Sequence, residues 1–550
     1  PARLLVGAGL ASAGAGGAVA CYAWFWIRPQ AVEQPPVNPF LAESIPQPEE
    51  FVHPYEAKPL LWRTMFRVAR CMYLCVVFMP LLGRSLAVLC MPNSETARER
   101  WLRCLLETFQ DAGCTFQKFG QWLSMRPDMF PADVVATLSQ LRNEAPTHSF
   151  EYTREIVSAR LGVSIEEHFE DFDVTPVASG SVGQVHRAVL RAEKALDGPG
   201  GKLREVAVKV RHPMVLDETY MDGDFVFASA AWLSRFCKLA LPFNKQDFVT
   251  VLQRQLDFTW EGFNLMQFAK NFAADYPLIQ FPVITANNVH PDLMIESWQR
   301  GGLINSLLED FDNKVSETVG TVRESIAKQR KELQMRLAKL MFNVNMKMLI
   351  RDNFVHGDLH GGNIIVNQEP SGPLTVSVID AGLTTTMSKG VRHSFAKFVH
   401  SLLSGDADGI VEQLIVFNEG PKKLDVGALS ADVRRTLKRW VGSDGRAPDG
   451  SPVNAADLFG DLMFRLRDHD VKLRGDIAST IFTITVSEGL VRQLDPGFDL
   501  AKHAVEYLMQ YSLGADKHQS GARWQRAASA ADEQPEDATT AKLGAFVGLR

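Results

Sequence analysis

Phe354-Val355-His356-Gly357-Asp358-Leu359-His360-Gly361-Gly362-Asn363, followed by Val376-Ser377-Val378-Ile379 and then Asp380-Ala381-Gly382, is the stretch on which the fold turns. It sets a carboxylate, an amide and a second carboxylate at the spacing Asp-x-x-x-x-Asn, an apolar run, then Asp. In that order Asp358 would face an attacking hydroxyl or water, and Asn363 and Asp380 would hold a magnesium ion bridging nucleotide phosphates. Two plainer readings compete. His356 and His360 could make local hydrogen bonds in a solvated loop between buried strands, or His and Asp could bind zinc. Structural zinc sites bring Cys or His in compact pairs, and no cysteine pair lies near. The phosphate reading gains weight only with the upstream half of such a site.

That half is present, in order. Val177 to Ala188 reads as strand, small-residue turn, strand. Ala178, Ser179, Gly180, Ser181, Val182 and Gly183 form an A-x-G-x-x-G turn, with Val185 on the returning strand; small residues let backbone approach phosphates closely. Alone, any Gly/Ser hairpin gives this pattern. Glu205-Val206-Ala207-Val208-Lys209-Val210 then alternates at strand period. Ala207 and Lys209 are assigned to the nucleotide, Lys209 as the grip on its phosphates. A strand lysine is ordinarily a solvated side chain, but its place between the glycine turn and Asp358 argues otherwise. Polar residues 191–204, with Gly198-Pro199-Gly200-Gly201, read as an exposed, lengthened hairpin loop. Glu261 is the candidate helix partner for Lys209, because a buried, unpaired lysine is costly; the alternative is that Glu261 faces water. Met294 to Trp298, around Glu296, reads as a strand entering an inter-lobe hinge whose backbone amides meet an adenine edge. The set matches the protein-kinase pattern in role, with His356-Gly357-Asp358 for H-R-D and Asp380-Ala381-Gly382 for D-F-G.

Together these residues resemble the UbiB family, the aarF-domain, coenzyme Q-linked atypical protein-kinase-like proteins. The family signature K-x-G-Q is here Lys118-Phe119-Gly120-Gln121, within Phe116 to Asp128. The likeness runs from about Trp101 to Leu513, most of the chain. It implies an α+β, two-lobed protein-kinase-like fold with an N-terminal helical extension packing over the active site. It implies ATP or ADP and Mg2+ as cofactors, and a restricted cleft suited to ATP hydrolysis or lipid-linked work. Membrane lipid or a quinone precursor, and coenzyme Q biosynthetic proteins, are the implied partners. Lys118, Gly120, Gln121, Gln255 and Asp257 form the implied regulatory set. Four places bear on that pattern. The alanine-rich loop of the family reads Ala178-Ser179-Gly180-Ser181, its E-x-D reads Gln255-Leu256-Asp257, and the D-F-G phenylalanine is Ala381. His360 stands where many kinases have a lysine, as the family does. Gln255 cannot make the ion pair that Glu would form with Lys118, though a hydrogen bond is open to it. Within the family, Gln255 and Ala381 resemble the animal aarF-domain kinase two branch.

The 550 residues suffice for a two-lobed core with extensions. A net charge of −6 without a dense basic stripe excludes nucleic acid as the expected partner. Seven scattered cysteines, none after Cys237, suit a reducing compartment. The expected organisation is a membrane-spanning or targeting segment at 1–28, a Pro-rich linker at 29–60, and a helical extension at 61–150. A kinase-like N-lobe with inserted helices follows at 151–299, a helical C-lobe at 300–513 and a disordered tail at 514–550. Leu4 to Ile27 is apolar and uncharged, long enough to cross a bilayer. Cys71 to Cys90 is a second apolar run that could lie against a membrane or pack on the kinase core; core packing is favoured because Arg84 is expensive in lipid and Pro80 would kink a span. The family likeness places the protein in mitochondria at the inner membrane, with a plastid as alternative. Competing functions are a small-molecule phosphotransferase of the aminoglycoside or choline-kinase type, which the Lys118 helix argues against, and a nucleotide-binding pseudokinase scaffold, which Ala381 and Gln255 motivate.

Overall fold

The computed structural model describes residues 59–507, apart from 125–129, 142–146, 199–200, 234–251, 318–319, 369–373, 404, 421–423, 441–452, 454, 501 and 505. The expected segments at 1–28 and 514–550, and nearly all of the 29–60 linker, lie outside the described residues.

Alternation builds the N-lobe. Strands β1 (Phe169–Phe172), β2 (Ala178–Ser179), β3 (Gly183–Leu190), β6 (Glu205–Arg211), β8 (Ile284–His290) and β9 (Leu293–Ser297) form an antiparallel sheet ordered β1-β3-β6-β9-β8, with β2 paired to β3. Successive side chains in a strand point to opposite faces. Val206, Val208 and Val210 of β6 therefore enter one core with Leu190, Leu293 and Ile295. Ala207 and Lys209 take the other face. A Cβ on Gly183 would stand 2.5 Å from the Val210 carbonyl, so β3 meets β6 at a distance only glycine permits. The expected lengthened loop is itself a small hairpin, β4 (Leu196–Gly198) with β5 (Gly201–Leu203).

The C-lobe surrounds the Asp358 segment. Strands β12 (Ile364–Asn367) and β13 (Thr375–Val378) form a hairpin flanked by β10 (Gly302–Leu303) and β7 (Ile279–Gln280). Strands β11 (Val355–His356) and β14 (Thr384–Thr385) pair separately. Ile364, Val366, Val376 and Val378 pack with Leu337, Met341 and Leu490 in the largest core. Those residues bring together the 27-residue helix Gly320–Met346 and the helix Gly475–Leu494. A second core gathers Phe398, Leu414, Phe417, Leu429 and Leu466 from helices Lys389–Leu403, Ala407–Val416, Val426–Trp440 and Ala455–Asp468.

The N-terminal extension comprises α1 (Leu60–Cys90), α2 (Glu95–Asp111), α3 (Cys114–Ser124) and α4 (Ala132–Leu138). Phe109, Phe116, Phe119, Leu138 and Leu141 form its core. A Cβ on Gly120 would come within 2.2 Å of Leu141 Cδ1 and 2.7 Å of Phe109 Cδ1, so α3 approaches its neighbours without a side chain between. Helix α1 meets the core along one face only. It runs unbroken through Pro80, and Leu74 is its one buried residue. Leu74, Val77, Phe78 and Leu81 pack on the core of the extension, while Leu60, Leu61, Met65, Met72, Val76, Met79, Leu82, Leu86 and Leu89 stay exposed. Arg84, exposed, donates to the Arg100 carbonyl at 3.4 Å.

Arg70 fastens α1 to the body. Its guanidinium grips Asp222 of α5 (Val215–Leu233) through two bonds of 2.9 and 2.8 Å and donates to the Ala112 carbonyl at 2.7 Å. Asp222 is fully buried. Removing one partner of a buried pair costs about 3–5 kcal/mol. Arg70→Ala should therefore lower the melting temperature by roughly 3–5 °C and open α1 to limited proteolysis. Arg70→Met with Asp222→Leu should recover much of the loss; equal melting of wild type and Arg70→Ala would refute the attachment.

Candidate nucleotide site

Lys209 sits at the centre. β6 presents it beside Val185 of β3, its register partner, and Met294 of β9. Its ammonium donates to Glu261 Oε1 at 2.6 Å and to the Ile379 carbonyl at 3.1 Å, and lies 3.2 Å from Glu296 Oε1. Burial works against the charge, yet Glu261, Glu296 and Asp380 outweigh it and hold Lys209 above the ordinary lysine range.

The carboxylate side is over-supplied. Burial raises Glu261, and Asp380 adds to the rise against Lys209. Burial pushes Glu296 up to about 7, with Lys209 opposing and Glu261 assisting. Burial would raise Asp380 too, but Lys209, the Gly382 amide, His356 and Lys118 hold it below the usual carboxylate range. Asp380 Oδ1 accepts from Gly382 N at 2.8 Å.

Glu261 comes from α6 (Phe258–Asn271), whose N-cap is Asp257. Asp257 Oδ1 accepts from Thr259 N at 2.9 Å and Thr259 Oγ1 at 2.6 Å, satisfying helix-start donors. Asp257 thus sets where the Glu261 helix begins. Asn264 lies one turn beyond Glu261 on the same face. Its Nδ2 donates to the Ala381 carbonyl at 2.8 Å, and its Oδ1 accepts from Thr384 at 3.3 Å. The anchor expected to be lost with the missing phenylalanine is supplied this way: Ala381 is fully buried in the core and Asn264 holds its carbonyl. Sequence reading missed Asn264, although its i+3 spacing from Glu261 was the available signal.

On the opposite wall, His356 accepts from Asp358 N at Nδ1, 3.1 Å, and donates from Nε2 to the Asp380 carbonyl. Burial lowers His356, consistent with this neutral tautomer. The Asp358 side chain is 41% exposed, with His360 Nε2 3.8 Å away. Asn363 Nδ2 donates to the Asp358 carbonyl at 3.0 Å, which leaves its amide oxygen for another partner. A hard divalent cation takes oxygen ligands. An ionised Asp380, the Asn363 oxygen and a surplus of buried carboxylates around one lysine fit Mg2+.

The turn 178–183 closes through Gly180 N to the Gly183 carbonyl, 2.9 Å. Val182 packs against both the main core and a cluster of Cys114, Val215 and Leu256, so the start of α3 lies on the turn. From α3, Lys118 is close enough to depress Asp380. Gln121 donates to the Leu141 carbonyl at 3.1 Å, and the buried Gln255 Oε1 has no hydrogen-bond partner, so the bond open between Gln255 and Lys118 is not made through that oxygen. Glu296 adds a contact the sequence did not announce. It lies inside the sheet, opposite Ala207 on one side and Ile284 on the other. Its side chain enters the site, because the register puts it on the Lys209 face.

This geometry gathers the residues of the kinase-like motifs around one buried lysine. Residues 140–414, half of the chain, match the family model described as the ABC1 atypical kinase-like domain, and the chain belongs to that family. It is 27% identical over 484 residues to the Dictyostelium discoideum "Probable serine/threonine-protein kinase abkC", covering 75% of this chain and 65% of that one. The Saccharomyces cerevisiae "ABC1 family protein YPL109C, mitochondrial" is 25% identical over 510 residues, 81% of this chain and 75% of that protein. "Probable protein kinase UbiB" of Cronobacter sakazakii is 26% identical over 428 residues, 76% of this chain and 71% of that protein. The chain spans about two thirds (65 and 66%) of the length of the first two relatives.

A carboxyl whose folded value is raised stabilises the fold while protonated. For Glu296 that contribution is complete below the ordinary glutamate value of 4.5 and is lost as pH rises through about 7. Glu296→Gln stays neutral throughout. The melting-temperature difference between variant and wild type should therefore move in favour of Glu296→Gln from about pH 5 to about pH 8. Parallel curves would show that Glu296 does not titrate in this window.

Proposed function

We propose that the protein is a membrane-associated atypical kinase or ATPase of the mitochondrion, supporting coenzyme Q or lipid metabolism. The observation that carries the catalytic part is the single buried cluster of Lys209, Glu261, Glu296 and Asp380, facing Asp358 and Asn363. In this reading Lys209 grips the α- and β-phosphates and Glu261 holds it in place. Asp380 and Asn363 hold Mg2+, which neutralises charge on the phosphates when bound. Asp358 accepts the proton of the attacking hydroxyl or water. Ala178, Ser179, Gly180, Ser181, Val182, Gly183 and Val185 lie along the phosphates, and Ala207 along the base.

Helix α3 over the phosphate turn favours a small or lipid-linked acceptor, or water, over a folded protein. The mitochondrial assignment is supported by relatives in two yeasts that carry that word in their names. Membrane association is supported by α1, a 31-residue helix with mean hydropathy 1.9 over its most apolar window and most of that window exposed. Quinone precursors and coenzyme Q biosynthetic proteins are the partners proposed.

Mg-ATP or Mg-ADP should raise the melting temperature of the full chain, and Lys209→Ala and Asp380→Ala should each abolish the shift. Asp358→Asn should keep the shift while turnover falls about 10²–10⁴-fold, the usual worth of a positioned base. No shift in wild type, with both alanine variants behaving alike, would overturn the nucleotide reading. Full rescue of a knockout's quinone and lipid profile by Asp358→Asn would make the chemistry dispensable and leave a scaffold.

A further inference from the structure

Behind the turn 178–183, three histidines form a chain that the phosphate chemistry does not use. His212 Nε2 lies 2.9 Å from the Gly180 carbonyl, and His212 N donates to the Val182 carbonyl at 2.9 Å. His212 Nδ1 meets His148 Nδ1 at 2.7 Å. His148 Nε2 meets Thr153 Oγ1 at 3.0 Å. Gln184 Oε1 accepts from His148 N at 2.9 Å, and its Nε2 lies 3.0 Å from His186 Nε2. His186 Nδ1 lies 2.8 Å from the Asp173 carbonyl.

The two carbonyl ends determine every proton between them. A carbonyl only accepts, so His186 carries its hydrogen on Nδ1 and its Nε2 accepts from Gln184. With that position taken, Thr153 gives its hydroxyl proton to His148 Nε2. A neutral His148 then carries its hydrogen on Nδ1 and donates to His212 Nδ1. His212 must therefore carry its own hydrogen on Nε2, which the Gly180 carbonyl independently demands. Burial lowers all three imidazoles, His148 to about 4 with its two neighbours assisting, in keeping with a neutral chain.

His212 holds the backbone of the turn from one side. A trans peptide is planar, with N–H opposite C=O. Carbonyls of Gly180 and Val182 drawn to His212 thus point the amides of Ser181 and Gly183 the other way. On the turn, the buried Ser181 hydroxyl lies against the Cys114 thiol at the start of α3. The side of the turn away from His212 faces that helix, whose Lys118 charge reaches both Cys114 and Asp380.

We propose that His212, fixed in one tautomer by His148, Thr153, Gln184 and His186, is the positioning residue that aims this turn's amides at an anionic ligand. This rests on the reading of residues 178–183 as a phosphate turn. Its effect is on ligand affinity rather than on the chemical step, since His212 touches the turn and none of Lys209, Asp358 or Asp380.

The test measures Mg-ADP affinity by calorimetry and turnover at saturating ATP, using the full chain. His212→Leu should raise the Kd about tenfold, in the range of one or two lost hydrogen bonds, and leave saturated turnover within about twofold. His212→Gln, which keeps a donor for the Gly180 carbonyl, should recover most of the affinity. Thr153→Val, isosteric but without the proton that orients His148, should raise the Kd about threefold. It carries the test should His212→Leu fail to fold. Unchanged Kd in the variant that folds, or a fall confined to saturated turnover, would overturn the proposal. Lys209→Ala separates the two readings: if it abolishes Mg-ADP binding while the histidine and threonine variants bind like wild type, the phosphate site stands and the positioning role falls.

Discussion

One ammonium surrounded by three carboxylates is the constraint on which the rest of this structure depends. Lys209 is buried, and a buried lysine persists as a cation only beside opposite charge. Glu261, Glu296 and Asp380 provide more than it needs. Each carboxylate arrives on a different element, so the cluster joins the strand β9, the helix α6 and the segment after β13 at one point. Balance is restored by whatever positive charge comes near, and Lys118 on α3 already contributes.

Hydrogen bonds from side chain to backbone make this convergence durable. Asp257 starts α6, Asn264 ties it to Ala381, and His356 ties the Asp380 carbonyl back to the Asp358 loop. Neither Asp257 nor Asn264 reaches Lys209, yet the position of Glu261 is set between them. Gly120 serves the same end by contact, since α3 can press against Phe109 and Leu141 only without a side chain.

How much of this was legible in the sequence follows from how local each signal is. The glycine turn, the Lys209 strand, the Asp358 loop and the Asp380 segment were readable because each is a short run with its own chemistry. The pairing of Lys209 with Glu261 was readable because an unpaired buried lysine is expensive. Glu296 was placed on the correct strand, but its carboxylate beside Lys209 was not read: which face it takes depends on its pairing with Ala207, a residue 89 positions away, and register is not written in a strand's own letters. The helices Ala407–Val416 and Val426–Trp440 escaped notice because no motif marks them. The apolar run 71–90 of α1 was read as core-packing in preference to membrane-facing, and it packs along one face through Leu74, Val77, Phe78 and Leu81 while Arg84 and Pro80 lie at the surface.

That helix has a mechanical consequence. A straight run of 31 residues is a rod roughly 46 Å long, nearly bare of protein on one side. On its other side, Phe78 tilts its ring against that of Phe116 in α3, centroids 5.1 Å apart. Whatever seats against the bare flank bears on a lever whose inner edge is a single phenylalanine away from the helix that carries Lys118.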